Sequence, residues 1–160
     1  MNFSPRDLGQ LVLAIFICQL AGIIGSVFTV QSISSWYTTL NKPWFTPPGW
    51  VFSPVWITLY ALMGVALYWI WKEGPEKREV RIALGIFAGQ LSLNAIWSIL
   101  FFGLQNIFVA LIEIGFLWLL ILFTIVKFYQ IKKRAGVILI PYLAWVTIAT
   151  LLNYYLWLLN

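Results

Sequence analysis

The sequence predicts an all-α fold: an integral membrane bundle of five transmembrane helices, N-terminus inside and C-terminus outside. Three observations predict it. Hydrophobic residues make up 62% of the chain and charged ones 9%, with a mean hydropathy of +0.90, far from the balance of water-soluble domains. Apolar runs recur at about 8–30, 50–72, 80–102, 107–128 and 136–159, each near the roughly 20 residues that cross a bilayer. Arg6, Lys72, Lys77, Arg78, Arg81, Lys127, Lys132, Lys133 and Arg134 fall on one side of such a bundle, and of the 10 basic residues only Lys42 falls on the other. Basic residues in short loops stay cytoplasmic, which sets the orientation and suits a bacterial plasma (inner) membrane. The 160 residues then form a single domain with no room for a soluble catalytic unit, so any site lies between helices or under a loop. The net charge of +5 follows from the loop bias, and the KKR run at 132–134 reads as topology rather than as a nucleic-acid patch.

The first span, 8–30, is longer than the apolar core of a secretion signal and is expected to be retained, although its short basic head leaves a cleaved signal as the alternative. Ala21, Gly22, Gly25 and Ser26 crowd one side of it, as helices in close contact require. Cys18, the single cysteine, is expected to pack as a small hydrophobe. With one cysteine and no histidine, the usual zinc and histidine-haem ligand sets are missing, and neither a metal nor a cofactor is expected.

The loop at 31–49 and the start of the second span carry KPWFTPPGWVFSPVWITLY. Pro43, Pro47 and Pro48 stiffen an outer loop, and Pro48 is suited to open a helix. Pro54 lies in the second turn, where it supplies no donor to the carbonyl of Trp50. An unpaired carbonyl at membrane depth is tolerated at the lip of a wet or protein-lined cavity, so the segment is expected to cap a pocket. An interfacial belt of Trp36, Trp44, Trp50 and Trp56 is the alternative.

In the third span Gln90, Asn94, Trp97, Ser98 and Phe101 share one helical stripe. Amides there face the bundle, either as interhelical bonds or as a cavity wall. Gly85 and Gly89 form GxxxG on another face, a possible pairing surface within the chain or in a homodimer. Glu113, in the fourth span, is the one acidic residue well inside a span, read here as structural or functional with no partner identified. In the fifth, Tyr142, Trp145, Ala149 and Asn153 line a second stripe, and small Ala149 between large neighbours leaves room for something flat.

WYTTLNKPWFTPPGWVFSPVWITLYALMG (36–64), QLSLNAIWSILFFG (90–103), ALIEIGFLWLLILFTI (110–125) and PYLAWVTIATLLNYYLW (141–157) together resemble the TspO/MBR family, the tryptophan-rich sensory proteins related to the mitochondrial translocator protein or peripheral benzodiazepine receptor. The resemblance implies a pocket beneath the first loop that binds protoporphyrin IX and other tetrapyrroles, the synthetic ligand PK11195 and, in animals, cholesterol. It places Trp50, Phe52, Asn94, Trp97, Trp145 and Ala149 at that pocket, with Trp36 and Trp44 as further loop positions. Gln90 and Tyr142 join them from the two stripes. It also links Trp50 and Trp145 to light-dependent breakdown of bound porphyrin. The final segment, Leu152 to Asn160, lacks the basic residue of the proposed sterol motif.

Three functions compete. A receptor or sensor for tetrapyrroles and related apolar ligands needs only the pocket. A porphyrin-degrading enzyme would act through Trp50 and Trp145, since no acid–base or nucleophilic constellation is present. A transporter of porphyrin or sterol-like ligands is disfavoured by the scarcity of embedded charge.

Overall fold

The computed structural model describes residues 4–160. Its elements are all helical: α1 (Pro5–Ile33), α2 (Trp36–Thr39), α3 (Gly49–Trp71), α4 (Arg78–Ser98), a π-helical turn (Ile99–Gly103), α5 (Ile107–Ile131), α6 (Lys133–Val137) and α7 (Ile140–Leu159). Five stretches are long and apolar enough to cross a membrane, the third being α4 with its π turn and the fifth α6 with α7.

Local chemistry sets the ends. Ser4 and Asp7 form a reciprocal capping box at α1, with Pro5 in the first turn. α3 starts directly after Pro48 and runs unbroken through Pro54. Asn106 caps α5 by accepting from the Val109 amide at 3.0 Å. The residue before that cap, Gln105, has φ 52°, a left-handed conformation that lets the chain reverse between the π turn and α5. Gly74 (φ 106°) makes the corresponding reversal between α3 and α4. The fifth span was expected as one helix from 136; it begins instead with the short α6, then bends before α7 opens with Pro141 near its start.

α1 packs on α3 and α4, α4 on α5, and α5 on α7, while α3 meets the fifth span through α6. The buried face of α1 is built from Ala14, Cys18, Ala21, Gly25 and Ser32, small side chains that let neighbouring backbones approach. The α1–α3 contact is tight at Gly64. A Cβ on Gly64 of α3 would lie 2.8 Å from the backbone nitrogen of Ile15. By contrast, among the described residues nothing lies within 4 Å of a Cβ built on Gly85, and at Gly89 the nearest neighbour is Leu120 at 3.7 Å. Gly85 is therefore open among the described residues and Gly89 meets only a side chain of α5, whereas in α1 the Ile15 backbone faces Gly64 and Gly22 faces the Tyr60 ring.

At the basic end two ion pairs tie separate elements: Lys72 with Asp7, and Lys132 with Glu73. Arg134 adds a cation–π contact 4.7 Å from the Trp69 ring centroid. The Lys132 ammonium hydrogen-bonded to Glu73 holds that carboxyl below the usual carboxylate range.

Two predictions concern stability. Because the atom opposing Gly64 is backbone and cannot rotate away, Gly64→Ala should lower stability by about 1–3 kcal/mol, whereas Gly85→Ala should not; thermal unfolding in detergent measures both. Glu73 has a lowered folded pKa, so its pair stabilises the fold above the ordinary glutamate pKa and the contribution disappears as pH falls through the lowered value. The pair is partly exposed, so Lys132→Gln should cost no more than about 1 kcal/mol at neutral pH. The difference in melting temperature between wild type and Lys132→Gln should then shrink on acidification.

Candidate functional site

A cavity of about 790 Å³ lies beneath the loop that joins α1 to α3, and all five spans contribute to its wall. α3 presents Phe52, Trp56 and Tyr60 to it, at i, i+4 and i+8, the spacing that keeps side chains on one helical face. α4 adds Asn94, Trp97 and Ser98, and α7 adds Val146 and Ala149. The fourth span supplies Ile114 and Leu117. The small residues of α1 have a second role here, since Gly22, Gly25 and Ser26 also line the space.

Beneath the cavity a chain of buried hydrogen bonds crosses three helices. Tyr60 of α3 donates its hydroxyl to Asn94 Oδ1 of α4. Asn94 Nδ2 donates to the Tyr142 hydroxyl of α7 at 3.0 Å, and that hydroxyl donates to Gln90 Oε1 at 2.9 Å. Gln90, Asn94 and Tyr142 are all buried. In an apolar interior each unmet polar group carries a desolvation penalty, so the relay fixes the spacing of α3, α4 and α7 under the cavity.

A second amide holds the wall. Trp97 donates its indole N–H to Asn153 Oδ1 at 3.0 Å, and Asn153 Nδ2 donates to the Ile107 carbonyl at 2.9 Å. The Trp97 ring stacks on Phe101, centroids 4.9 Å apart and planes inclined by 19°. The π turn is responsible for this placement. Its wide i to i+5 bond, Leu104 N to Ile99 O at 2.8 Å, brings Phe102 to the cavity and leaves Phe101 between Trp97 and Trp36.

The roof is fastened to the far end of the chain. Asn160 Oδ1 accepts from the Asn41 amide at 2.9 Å, and Asn160 Nδ2 donates to the Asn41 carbonyl at 3.1 Å. Phe45 packs edgewise on Tyr155 at 5.3 Å. Tyr37, Thr38, Lys42, Thr46 and Pro47 form the underside of this roof. Lys42, the one charged residue among the described residues lining the cavity, stands 4.6 Å from the Tyr37 ring centroid. Ile23 and Val30 of α1 and Ile57 of α3 line the cavity yet are 54%, 69% and 60% exposed on the bundle surface. The space thus opens sideways between α1 and α3, at the height of the apolar belt.

Of the residues singled out from the sequence, Phe52, Asn94, Trp97 and Ala149 meet on the cavity wall. Gln90 and Tyr142 belong to the relay below it. Trp145 sits behind Phe52, ring centroids 5.8 Å apart, with its indole N–H buried and without an acceptor among the described residues. Val146, one position on, takes the cavity face instead. Trp50 is 77% exposed, because two residues from Phe52 is about 200° around the helix. Trp44 is 95% exposed, and Trp36 contacts Phe101 edge to face at the back of the roof. Glu113 is buried with both carboxyl oxygens unpartnered among the described residues and is not part of this wall. Sequence reasoning missed Tyr60 and Gln19 as wall residues. Tyr60 was detectable, since it continues the Phe52–Trp56 spacing; Gln19 is a polar residue inside the first span and carried the same signal as Gln90.

The sequence profile of the TspO/MBR family matches residues 14–158. This chain belongs to the TspO/MBR family. Among relatives, the tryptophan-rich protein TspO of Chlorobaculum tepidum is 43% identical over 155 residues, covering 97% of this chain and 98% of its own. That of Archaeoglobus fulgidus is 44% identical over 151 residues, covering 94% and 97%. The translocator protein of Bos taurus is 40% identical over 139 residues, covering 86% and 82%. The family's membrane character agrees with the five apolar helices, and the chain is an integral membrane protein.

Removing the Tyr60 hydroxyl leaves Asn94 Oδ1 buried without its donor. Tyr60→Phe should therefore destabilise the bundle by about 1–3 kcal/mol, more than Tyr154→Phe on the exposed side of α7, as read from unfolding midpoints in detergent.

Proposed function

We propose that this member of the TspO/MBR family is a membrane receptor or sensor that binds tetrapyrroles such as protoporphyrin IX, and related apolar ligands such as PK11195, in the cavity beneath the first loop. The observation that carries the reading is the composition of the wall. A space of about 790 Å³ is bordered by Phe52, Trp56, Tyr60 and Trp97, meets only the small side chains of Val146 and Ala149 at its α7 side, and has a single cation at its rim among the described residues. Such a wall suits a flat apolar guest with an acidic edge: ring faces meet the macrocycle, and Lys42 meets a carboxylate. The lateral opening between Ile23, Val30 and Ile57 suits a ligand that partitions into lipid first.

Binding is favoured over porphyrin breakdown because Trp50 and Trp145, the residues that breakdown would use, stand off the wall. The reading places the N-terminus and the basic loops in the cytoplasm of a bacterial cell, following the charge asymmetry. It reserves the Gly85–Gly89 face for a second copy of the chain, since none of the described residues lies within 4 Å of a Cβ at Gly85.

Titration of the purified chain with protoporphyrin IX should give saturable quenching of porphyrin fluorescence. Ala149→Phe, which adds an aromatic ring to the wall, should weaken it by about tenfold or more while leaving the melting temperature of the unliganded chain near that of wild type. Unaltered affinity in Ala149→Phe would remove this cavity as the site.

A further inference from the structure

A second cleft, of about 460 Å³, lies at the basic end of the bundle, remote from the roof. It is bounded by Glu73 and Lys77 from the α3–α4 connection, by Glu79, Val80 and Ile82 from the first turns of α4, and by Lys127, Gln130 and Ile131 from the end of α5. We infer that this cleft is a binding site for the phosphate headgroup of an anionic phospholipid, with Lys77 and Lys127 as the phosphate ligands.

Charge is the first argument. Glu73 is engaged by Lys132, so that pair contributes no free charge to the cleft. Among the described residues neither Lys77 nor Lys127 lies within 4 Å of a carboxylate oxygen, as judged by the two ion pairs that form. Among the described residues lining the cleft, Lys77 and Lys127 form no ion pair and stand with two carboxylates, Glu79 and the Glu73 that Lys132 already pairs. Arg78 and Arg81 on α4 and Lys133 and Arg134 on α6 lie at the same end of the bundle, outnumbering Glu76 of the α3–α4 connection.

Amphipathy is the second. Gln130 and the two lysines meet the apolar side chains of Val80, Ile82 and Ile131 within one cleft. Ile82 is 47% exposed on the bundle surface, where an acyl chain would run. A free inorganic anion would use the polar half and gain nothing from the apolar half. A phospholipid uses both, and basic clefts between membrane helices on the positive side are suited to anionic headgroups. The Lys132–Glu73 pair then has a consequence for the site: it joins the α3–α4 connection to the end of α5 and so holds two of the cleft's walls together.

The test uses the full chain, delipidated in neutral detergent, with bound lipids counted by native mass spectrometry during titration with phosphatidylglycerol or phosphatidylcholine. Phosphatidylglycerol should be retained in preference. Lys77→Gln with Lys127→Gln should lose about 30-fold in that retention, from about 1 kcal/mol per basic residue. Lys77→Arg with Lys127→Arg should retain it, and Lys42→Gln, at the opposite end, should not alter it. Glu79→Gln, which keeps both lysines, should raise retention about fivefold by the same reckoning. Equal retention of the two lipids, an unaltered double glutamine variant, a fall in Glu79→Gln, or displacement of phosphatidylglycerol by inorganic phosphate would each overturn the proposal.

Discussion

Inside a hydrocarbon surround an amide or hydroxyl has no water to fall back on, and the fold of this chain is organised by where those groups find partners. The Tyr60–Asn94–Tyr142–Gln90 relay is the main instance. It joins α3, α4 and α7 at one level, in a region where the packing of apolar side chains against lipid-like neighbours gives little reason for one spacing over another. Trp97 and Asn153 repeat the device one turn higher, passing the connection to the start of α5. With the helices pinned at these levels, the space between them and the roof persists as a cavity rather than closing.

Two different packing regimes coexist around that cavity. α1 is drawn against α3 by small residues, with Gly64 against the Ile15 backbone, and this close contact lies below the level where α1 lines the open space. Higher up, Gly22 leaves no room for a side chain beside the Tyr60 ring, so the same small-residue face serves contact and cavity in succession. The roof closes the opposite end by anchoring Asn41 to Asn160 and Phe45 to Tyr155. Prolines 43, 47 and 48 keep that segment extended without a sheet to support it. The only regular structure it contains is the single helical turn α2.

The two ends of the bundle are chemically opposite. The roofed end carries Lys42 alone among its loops, above an aromatic space. The basic end carries the ion pairs Lys72–Asp7 and Lys132–Glu73 and a cleft with lysines left over. The aromatic cavity and the basic cleft thus lie at separate places on one small protein, and the helices between them are common to both.

The number of spans, their approximate extents and the sidedness of the charge were legible in the sequence, because each depends on a local property: length of an apolar run or the count of basic residues beside it. The α4 stripe was legible too, since Gln90, Asn94, Trp97 and Ser98 stay in register on an uninterrupted helix. What the sequence left open was decided by how the helices meet. Trp50 carries the same residue type and motif as its neighbours but points away, because rotation about the helix axis gives the cavity to Phe52 and Trp56. Val146 displaces Trp145 from the wall for the same reason. The π turn at Ile99–Gly103 and the break between α6 and α7 have no composition signal of their own; both arise where a helix end must satisfy its carbonyls while meeting a neighbour. Periodicity fixes which residues share a face, and only tertiary contact decides which face looks inward.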